Sequence, residues 1–164
     1  HKARLQPEAA KDFYKLLKAA KRPLLYVGGG VISSNASKQV RSFAKKFKLP
    51  SVSTLMGLGA MDGTDDLSLN LLGMHGTAYA NYAVMDCDFL IAVGARFDDR
   101  VAGVPKEFAK NAKIAHIDID AAEIGKVKSV DWRHIGDAAT TLQDLSKYGK
   151  RLKRNGVIKN LARR

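Results

Sequence analysis

The chain has 164 residues, of which 46% are hydrophobic and 27% charged, proportions that fit one folded domain and exclude a globally disordered protein. No apolar run approaches the roughly 20 residues of a membrane-spanning helix, so we expect no such segment. A single cysteine, Cys87, excludes a disulfide framework and a multi-cysteine zinc site. The net charge of +12 divides unevenly, with +10 in residues 1–48, −6 in 49–146 and +8 in 147–164.

The basic groups lie mostly on the polar sides of predicted helices and among the last residues. A specific nucleic-acid binder usually interleaves such groups with aromatic residues or glycines on one face. We therefore interpret them as a solvated surface, which binds polyanions only weakly and without specificity. The opening at His1 and the ending in Ala-Arg-Arg predict a piece of a longer protein.

The first half of the chain alternates amphipathic helices with short apolar strands. Apolar residues at helical spacing predict a helix over 7–22, which Pro23 ends, and a buried strand over 24–27 runs into three glycines. A second helix carries Val40, Phe43, Ala44 and Phe47 on one face. Its expected caps are Ser33, Ser34 and Asn35. Pro50 closes this unit, and the next strand is predicted over 51–55.

The same alternation continues in the second half. We predict a helix over 77–85, strands over 89–93 and 114–119, a weaker strand over 130–135, and a last helix over 138–152. Strand–turn–helix units in series indicate a parallel sheet covered on both faces. The predicted fold is therefore α/β, a doubly wound, Rossmann-like three-layer sandwich. We expect it to occupy residues 1–150, with 151–164 as a basic tail that is mobile or outside the domain.

Candidate ligand-binding residues follow the predicted strands, because ligands of such sheets bind beyond the carboxyl ends of the strands. Gly28, Gly29 and Gly30 allow close approach to the backbone, but they do not form GxGxxG, and a plain turn explains them equally well. Asp118 and Asp120 suit ribose hydroxyls or helix caps. The Leu72–Gly76 segment is open to interpretation as an ordinary loop.

Two acids and an arginine, Asp98-Asp99-Arg100, directly follow a predicted buried strand. Burying charged groups costs free energy unless they are exposed or used, so this segment favours a functional role. The four histidines lack metal-ligand spacing, and no serine lies in a nucleophile elbow. Cys87 precedes an apolar strand and is interpreted as a packed small hydrophobe. We therefore predict no metal site and no cysteine or serine nucleophile in this chain.

Four segments taken together are more specific than any of them alone. They are RPLLYVGGG, STLMGLGAMDGTDDLSLNLLGMHGTAYANYAV, CDFLIAVGARFDDRV and KIAHIDIDAAEIGK. In this order they strongly resemble the central domain of the acetohydroxyacid synthases, also called acetolactate synthases, within the thiamine-diphosphate enzyme family. The resemblance covers about Lys21 to Asp137.

The resemblance implies that this domain binds an extended FAD, which is structural and takes no redox part in the main reaction. Gly28, Gly29 and Gly30 are then expected near its ribose and diphosphate. The flavin and ribityl chain are expected along Thr54, Leu55, Met56, Leu72, Gly73, Met74 and His75. The cleft is expected to continue over Gly94, Ala95, Arg96, Asp98, Arg100 and Val101, with Arg96 near the diphosphate. The adenosine end is expected at Asp118, Glu123, Ile124, Gly136 and Asp137.

The resemblance also implies an activity for the complete enzyme, which belongs to branched-chain amino-acid (isoleucine and valine) synthesis. Such an enzyme condenses two pyruvates to 2-acetolactate, or pyruvate with 2-ketobutyrate. Arg100 is expected to hold the carboxylate of the second keto acid, and Met74 to shape the acceptor channel. Thiamine diphosphate and Mg²⁺ are expected on other domains, which in this family carry the metal–diphosphate motif, GDG followed by an Asn. The only Gly-Asp pair here, Gly136-Asp137, precedes Ala138 and so does not form this motif. The chain is therefore expected to be inactive alone.

The expected partners are flanking thiamine-diphosphate domains of the same chain and further copies in a homo-oligomer, with or without a regulatory subunit. The expected location is the cytoplasm of a bacterium, or a plastid or mitochondrion of a eukaryote. One alternative is the equivalent domain of a related FAD-binding enzyme such as glyoxylate carboligase. A non-enzymatic alternative is a basic polyanion-binding module.

Overall fold

A computed structural model describes residues 3–72, 76–97, 108–124 and 129–154. Its helices are α1 (Pro7–Ala19), α2 (Gly29–Ser33), α3 (Ser37–Phe47), α4 (Ala78–Asp86) and α5 (Ala138–Arg154). Its strands are β1 (Pro23–Val27), β2 (Ser51–Ser53), β3 (Ser68–Leu71), β4 (Phe89–Val93), β5 (Lys113–Asp118) and β6 (Trp132–Ile135). Short 3₁₀ turns occupy Leu55–Gly57 and Ala121–Glu123.

The six strands form one sheet in the order β3-β2-β1-β4-β5-β6, and every pair is parallel. This is the strand order of the doubly wound dinucleotide-binding fold. β1 and β4 are fully buried along their length, as expected of central parallel strands that read as continuous apolar runs. The predicted fold class is confirmed.

Helices cover both faces of the sheet and enclose two hydrophobic clusters. The larger cluster joins α1, α3 and α5 to one face, with Phe13 and Phe43 fully buried at its centre. The smaller cluster joins α4 to the other face through Ala80 and Val84. Three layers therefore hold the carboxyl edge of the sheet in place.

The predicted caps of α3 are wrong. The N-cap is Ala36, and the Ser33 and Ser34 hydroxyls donate to the carbonyl oxygen of Gly30 inside α2. Asn35 has a φ of 54° and its N–H bonds the Ile32 oxygen, while the Ala36 N–H bonds the Val31 oxygen. These two bonds form a Schellman ending, so the polar run closes α2 and does not open α3.

Strand β3 is absent from the sequence prediction. It lies at the edge of the sheet and is largely half-buried, so its four residues give no continuous apolar run. The strand predicted over 51–55 ends earlier, at Ser53, because Thr54 turns the chain into a 3₁₀ turn and its Oγ1 accepts from the Gly57 N–H.

The last helix extends to Arg154, so residues 151–154 of the predicted tail are helical, with Leu152 buried against the core. Residues 155–164 lie outside the described part of the chain, and the domain boundary at residue 150 stays a prediction. Within the described ranges, no helix has the length and apolar character needed to cross a membrane.

Candidate functional site

All six strands are parallel, so the segments that follow them lie along one edge of the sheet. The strand order reverses between β1 and β4, since the chain builds β2 and β3 on one side of β1 and then β4, β5 and β6 on the other. Open α/β sheets bind ligands at this switch point. The segments in which the sequence predicts ligand-binding residues therefore share one edge of the sheet.

The loops after β1 and β4 meet backbone against backbone at the switch point. The Gly30 N–H donates to the Gly94 oxygen at 2.9 Å, and the Gly28 N–H donates to the Val93 oxygen at 3.0 Å. A Cβ on Gly28 would overlap the Gly94 oxygen and the Ala95 Cα, and one on Gly30 would lie 2.7 Å from the Gly94 Cα. Gly94 itself has a φ of +58°, where a side chain is strained. The glycines are thus required by close packing, and they leave the crevice floor without side chains.

A cleft of about 260 Å³ opens beside this crossing. Among the residues predicted from the sequence, it is lined by Gly30, Gly94, Asp118, Gly136 and Asp137. Its other lining residues are Ser33, Ser34, Ile117, Ile119 and Ala138. Segments that are far apart in the sequence therefore form one concave surface.

Two carboxylates face this cleft, and each is held in place by local hydrogen bonds. Asp118 Oδ1 accepts from the Asp120 N–H at 2.9 Å. Half burial alone would raise the pKa of the Asp118 carboxyl, but the His116 imidazole and the Asp120 N–H outweigh that effect and lower it. Asp137 is buried and caps α5, with Oδ2 accepting from both the N–H and the hydroxyl of Thr140 at 3.0 Å.

The structure distinguishes the two roles predicted for Asp118 and Asp120, helix capping and the binding of ribose hydroxyls. Asp120 is the cap, because its Oδ1 accepts from the Ala122 N–H and so begins the 3₁₀ turn. Asp118 lines the cleft and retains acceptor capacity there. Of the pair, Asp118 is therefore the candidate for binding ligand hydroxyl groups.

An apolar surface adjoins the glycine crossing on the β2 side. Leu55 and Met56 follow β2 and are 70% and 75% exposed. Met56 lies against Gly29, since a Cβ added to that glycine would be 2.9 Å from the Met56 Cβ. Large apolar side chains at this exposure favour coverage by another group. The carboxyl edge thus has two carboxylates at β5 and β6 and an exposed apolar surface at β2.

The other described candidates do not line the cleft. Leu72, Ala95 and Ile124 are buried, while Arg96 is exposed with its Nε 4.0 Å from a Glu123 carboxylate oxygen. Thr54 is buried as the cap described above. The remaining candidates lie outside the described residues: Gly73, Met74, His75, Asp98, Arg100 and Val101.

Sequence reasoning missed the serines, isoleucines and Ala138 of the cleft. Ser33 and Ser34 were assigned to the wrong helix end, and Ile117 is a buried residue of β5. Ile119, 72% exposed directly after that strand, is a signal that could have been used.

Cys87 is packed as predicted. It is 2% exposed, its Sγ lies 3.3 Å from the Val84 oxygen, and burial raises its pKa to about 12. A thiol in this state is a poor nucleophile.

Comparison with known proteins agrees with this architecture. Residues 10–145 match the family model described as thiamine pyrophosphate enzyme, central domain. The chain is 55% identical over 127 residues, 77% of its length, to the acetolactate synthase large subunit of Parasynechococcus marenigrum (strain WH8102), of which it covers 21%. It is 50% identical over 142 residues to acetolactate synthase of Arthrospira platensis, covering 85% of the chain and 24% of that protein.

A plant relative gives the same result. The chain is 53% identical over 143 residues, 86% of its length, to the chloroplastic acetolactate synthase 3 of Brassica napus, of which it covers 22%. The chain thus spans about a fifth to a quarter of the length of these relatives. With most of its length matched, the chain belongs to the thiamine pyrophosphate enzyme family, as a central domain.

Proposed function

We propose that this chain is the FAD-binding central domain of an acetolactate synthase, and that the cleft with its apolar extension is the FAD site. The observation that carries the proposal is the single carboxyl edge, where a glycine crossing lies between a cleft that holds two carboxylates and an exposed apolar surface. The three relatives described above, all acetolactate synthases by name, support the enzyme class.

The shape of the edge suits an extended dinucleotide. From β2 to β6 it spans four strand spacings, roughly 19 Å at about 4.8 Å each. A ligand that reaches both ends must therefore be elongated. At the midpoint the two loops cross backbone against backbone at Gly28, Gly30 and Gly94, which carry no side chains that could obstruct a ligand.

The chemistry of the two ends also fits FAD. Asp118 and Asp137 supply carboxylate acceptors at the β5–β6 end, which suit ribose hydroxyls and repel phosphates. Asp137 already caps α5, so the helix terminus offers no free phosphate site there. The diphosphate is then best accommodated toward the glycines, and the flavin ring over Leu55 and Met56.

When bound, the flavin supplies structure to the domain and no redox step to the condensation. The residues of this chain bind it, orient it and cover its apolar ring. Arg100 is proposed to hold the carboxylate of the acceptor keto acid, with Met74 shaping the channel beside it; both proposals rest on the family resemblance.

The whole enzyme is proposed to condense two pyruvates, or pyruvate with 2-ketobutyrate, in branched-chain amino-acid synthesis. Thiamine diphosphate and Mg²⁺ are proposed to bind to other domains of the same chain, and the assembly to be a homo-oligomer with or without a regulatory subunit. The location follows the source: the cytoplasm in a bacterium, or an organelle in a eukaryote, as the name of the Brassica napus relative indicates for that protein.

Two exposed methionines provide a matched test of the FAD site. Met56 lies at the carboxyl edge and Met85 on the outer face of α4, and they are 75% and 61% exposed. We expect Met56→Ala to weaken FAD binding about fivefold or more, because it removes apolar surface that would contact the flavin ring. Met85→Ala should leave it unchanged. Binding is measured by quenching of flavin fluorescence, with FMN as a comparison ligand.

FAD should bind more tightly than FMN, because only FAD reaches the aspartate end of the edge. Equal affinity for the two flavins, or equal effects of the two methionine variants, would contradict the proposed site. Absence of FAD binding both in this chain and in a longer protein that contains it would exclude FAD as the ligand.

The activity is tested in a longer protein that contains this chain. We expect acetolactate from pyruvate, no condensation of glyoxylate, and no turnover by the 164-residue chain alone. Preference for glyoxylate would establish the glyoxylate carboligase alternative instead. In the same protein, Arg100→Ala should impair selection of the second keto acid more than the first decarboxylation, and equal loss in both would refute the role of Arg100.

A further inference from the structure

His116 is a fully buried polar residue in the middle of β5, and it has no role in the proposal above. It is 0% exposed and lies on the sheet face that α4 covers, since its neighbours Ile114 and Phe97 belong to that cluster. The Phe97 ring meets the imidazole edge-on at 5.2 Å between centroids. A polar ring in this position is costly unless its nitrogens have partners.

The two ring nitrogens have different surroundings. Nε2 lies 2.9 Å from the carbonyl oxygen of Ala95 and 3.7 Å from Asp118 Oδ2. Nδ1 is buried and has no hydrogen-bond partner among the residues that the structure describes. Because a carbonyl oxygen only accepts, Nε2 carries the hydrogen that bonds the Ala95 oxygen.

This single N–H bridges two segments of the cleft edge. Ala95 follows Gly94 in the loop after β4, and Asp118 ends β5 and lines the cleft. Ala95 supplies the hydrogen-bond acceptor, and the more distant Asp118 Oδ2 feels the positive end of the N–H dipole. The other carboxylate oxygen, Oδ1, is held by the Asp120 N–H. Asp118 is therefore anchored through Oδ1, while its Oδ2 lies near the imidazole N–H.

We propose that His116 is a positioning residue: its Nε2–H holds the loop after β4 and the Asp118 carboxylate together, so that Asp118 presents its oxygens to hydroxyl groups of the bound nucleotide. This inference rests on the proposed function for the identity of the ligand. It assigns a role to a residue that touches neither cleft surface nor solvent.

Several charged groups lie near Asp118. Asp137 lies across the same cleft, and Asp120 is exposed two residues further along the chain. The Glu123 carboxylate lies 4.0 Å from the Arg96 guanidinium. Burial raises the pKa of Asp118, so its lowered value depends on the His116 imidazole and the backbone N–H donors around it.

Two variants of matched size separate positioning from packing. His116→Gln places an amide N–H near the Nε2 position, whereas His116→Met fills a similar volume without a donor. The first measurement is the pKa of Asp118 by carbon-13 NMR of its carboxyl group in this chain. We expect it to rise in His116→Met and to stay low in His116→Gln.

The second measurement is FAD affinity by fluorescence quenching. We expect up to a tenfold loss in His116→Met and recovery to within about threefold of the parent in His116→Gln, the scale of one hydrogen bond. In an Asp118→Asn background, His116→Met should have little further effect, because the carboxylate that it orients is gone. Should His116→Met fail to fold, His116→Asn replaces it, since its amide reaches only the Nδ1 position.

The outcomes are distinguishable. An Asp118 pKa that is the same in all variants, or equal loss of affinity in the Gln and Met variants, would overturn the positioning role. If the Asp118 pKa responds as expected while even the parent binds no FAD in any context, then positioning of Asp118 stands and the identity of the ligand fails.

Discussion

Gly28 shows how one missing methyl group shapes the site. Its φ of −113° is accessible to any residue, so the requirement for glycine comes from the Gly94–Ala95 backbone that lies against it. The sequence predicted a glycine turn here and left open whether it had any other purpose. Only the pairing of β1 with β4 reveals the contact, because it joins positions far apart in the chain.

We expect Gly28→Ala to destabilise the fold by about 1–3 kcal/mol, since the new methyl group must displace a neighbouring backbone. The measurement is the free energy of unfolding in urea. Gly63→Ala is the control: its Cβ would meet only the Asn70 side chain, at 3.2 Å, and its effect should stay within about 0.5 kcal/mol. Equal effects of the two changes would argue against the crossing as the cause.

Cys87 should not react with thiol reagents in the folded chain, because it is buried and its raised pKa keeps the thiol protonated. We expect no reaction with an aromatic disulfide reagent at pH 8, and one equivalent of reaction once urea unfolds the chain. Ser42→Cys, at an exposed position of α3, is the positive control and should react at once. Rapid labelling of folded Cys87 would contradict the observed packing.

At the scale of elements, the strongly periodic ones were predicted well. β4 agrees with its prediction at both ends, because five consecutive apolar residues between Asp88 and Gly94 indicate a buried strand. β3 and α2 were missed as elements. Both are short, and their positions are set by tertiary contacts such as the β2–β3 pairing and the packing of α2 against the 55–57 turn.

The start of α5 depends on one side chain. Asp137→Ala removes the two hydrogen bonds to Thr140 and should cost about 1–2 kcal/mol of unfolding free energy. Asp137→Asn keeps an acceptor oxygen and should cost less, because it retains the cap. Helix content by circular dichroism and urea unfolding check both. Full stability of the alanine variant would show that α5 begins without this cap.

In the whole molecule, the helices from the two basic ends of the sequence cover the same face of the sheet. α1, α3 and α5 cover the same face, and exposed Lys15, Lys38, Lys45, Lys147 and Lys150 lie on these helices. The acidic middle segment instead contributes Asp118 and Asp137 to the cleft. The uneven distribution of charge along the sequence can be counted from the sequence alone. That the basic helices lie in one layer follows only from the observed topology.

We expect this basic layer to bind duplex DNA weakly at about 50 mM salt and not measurably at about 150 mM, irrespective of base sequence, as counterion release dictates. Fluorescence anisotropy with two unrelated duplexes measures this. Lys38→Glu with Lys45→Glu should abolish the low-salt binding without affecting FAD affinity. Tight or sequence-dependent binding at about 150 mM salt would favour the polyanion-binding alternative.

The parallel order of the strands has one more consequence. The cleft draws on segments after β1, β4, β5 and β6, so neither half of the sequence contains it. A partly folded chain lacks some of these segments and so cannot form the whole cleft. A ligand bound there therefore stabilises the complete fold against unfolding. Binding of any ligand in this cleft would then require that β6 has joined the sheet, so it would report completed folding.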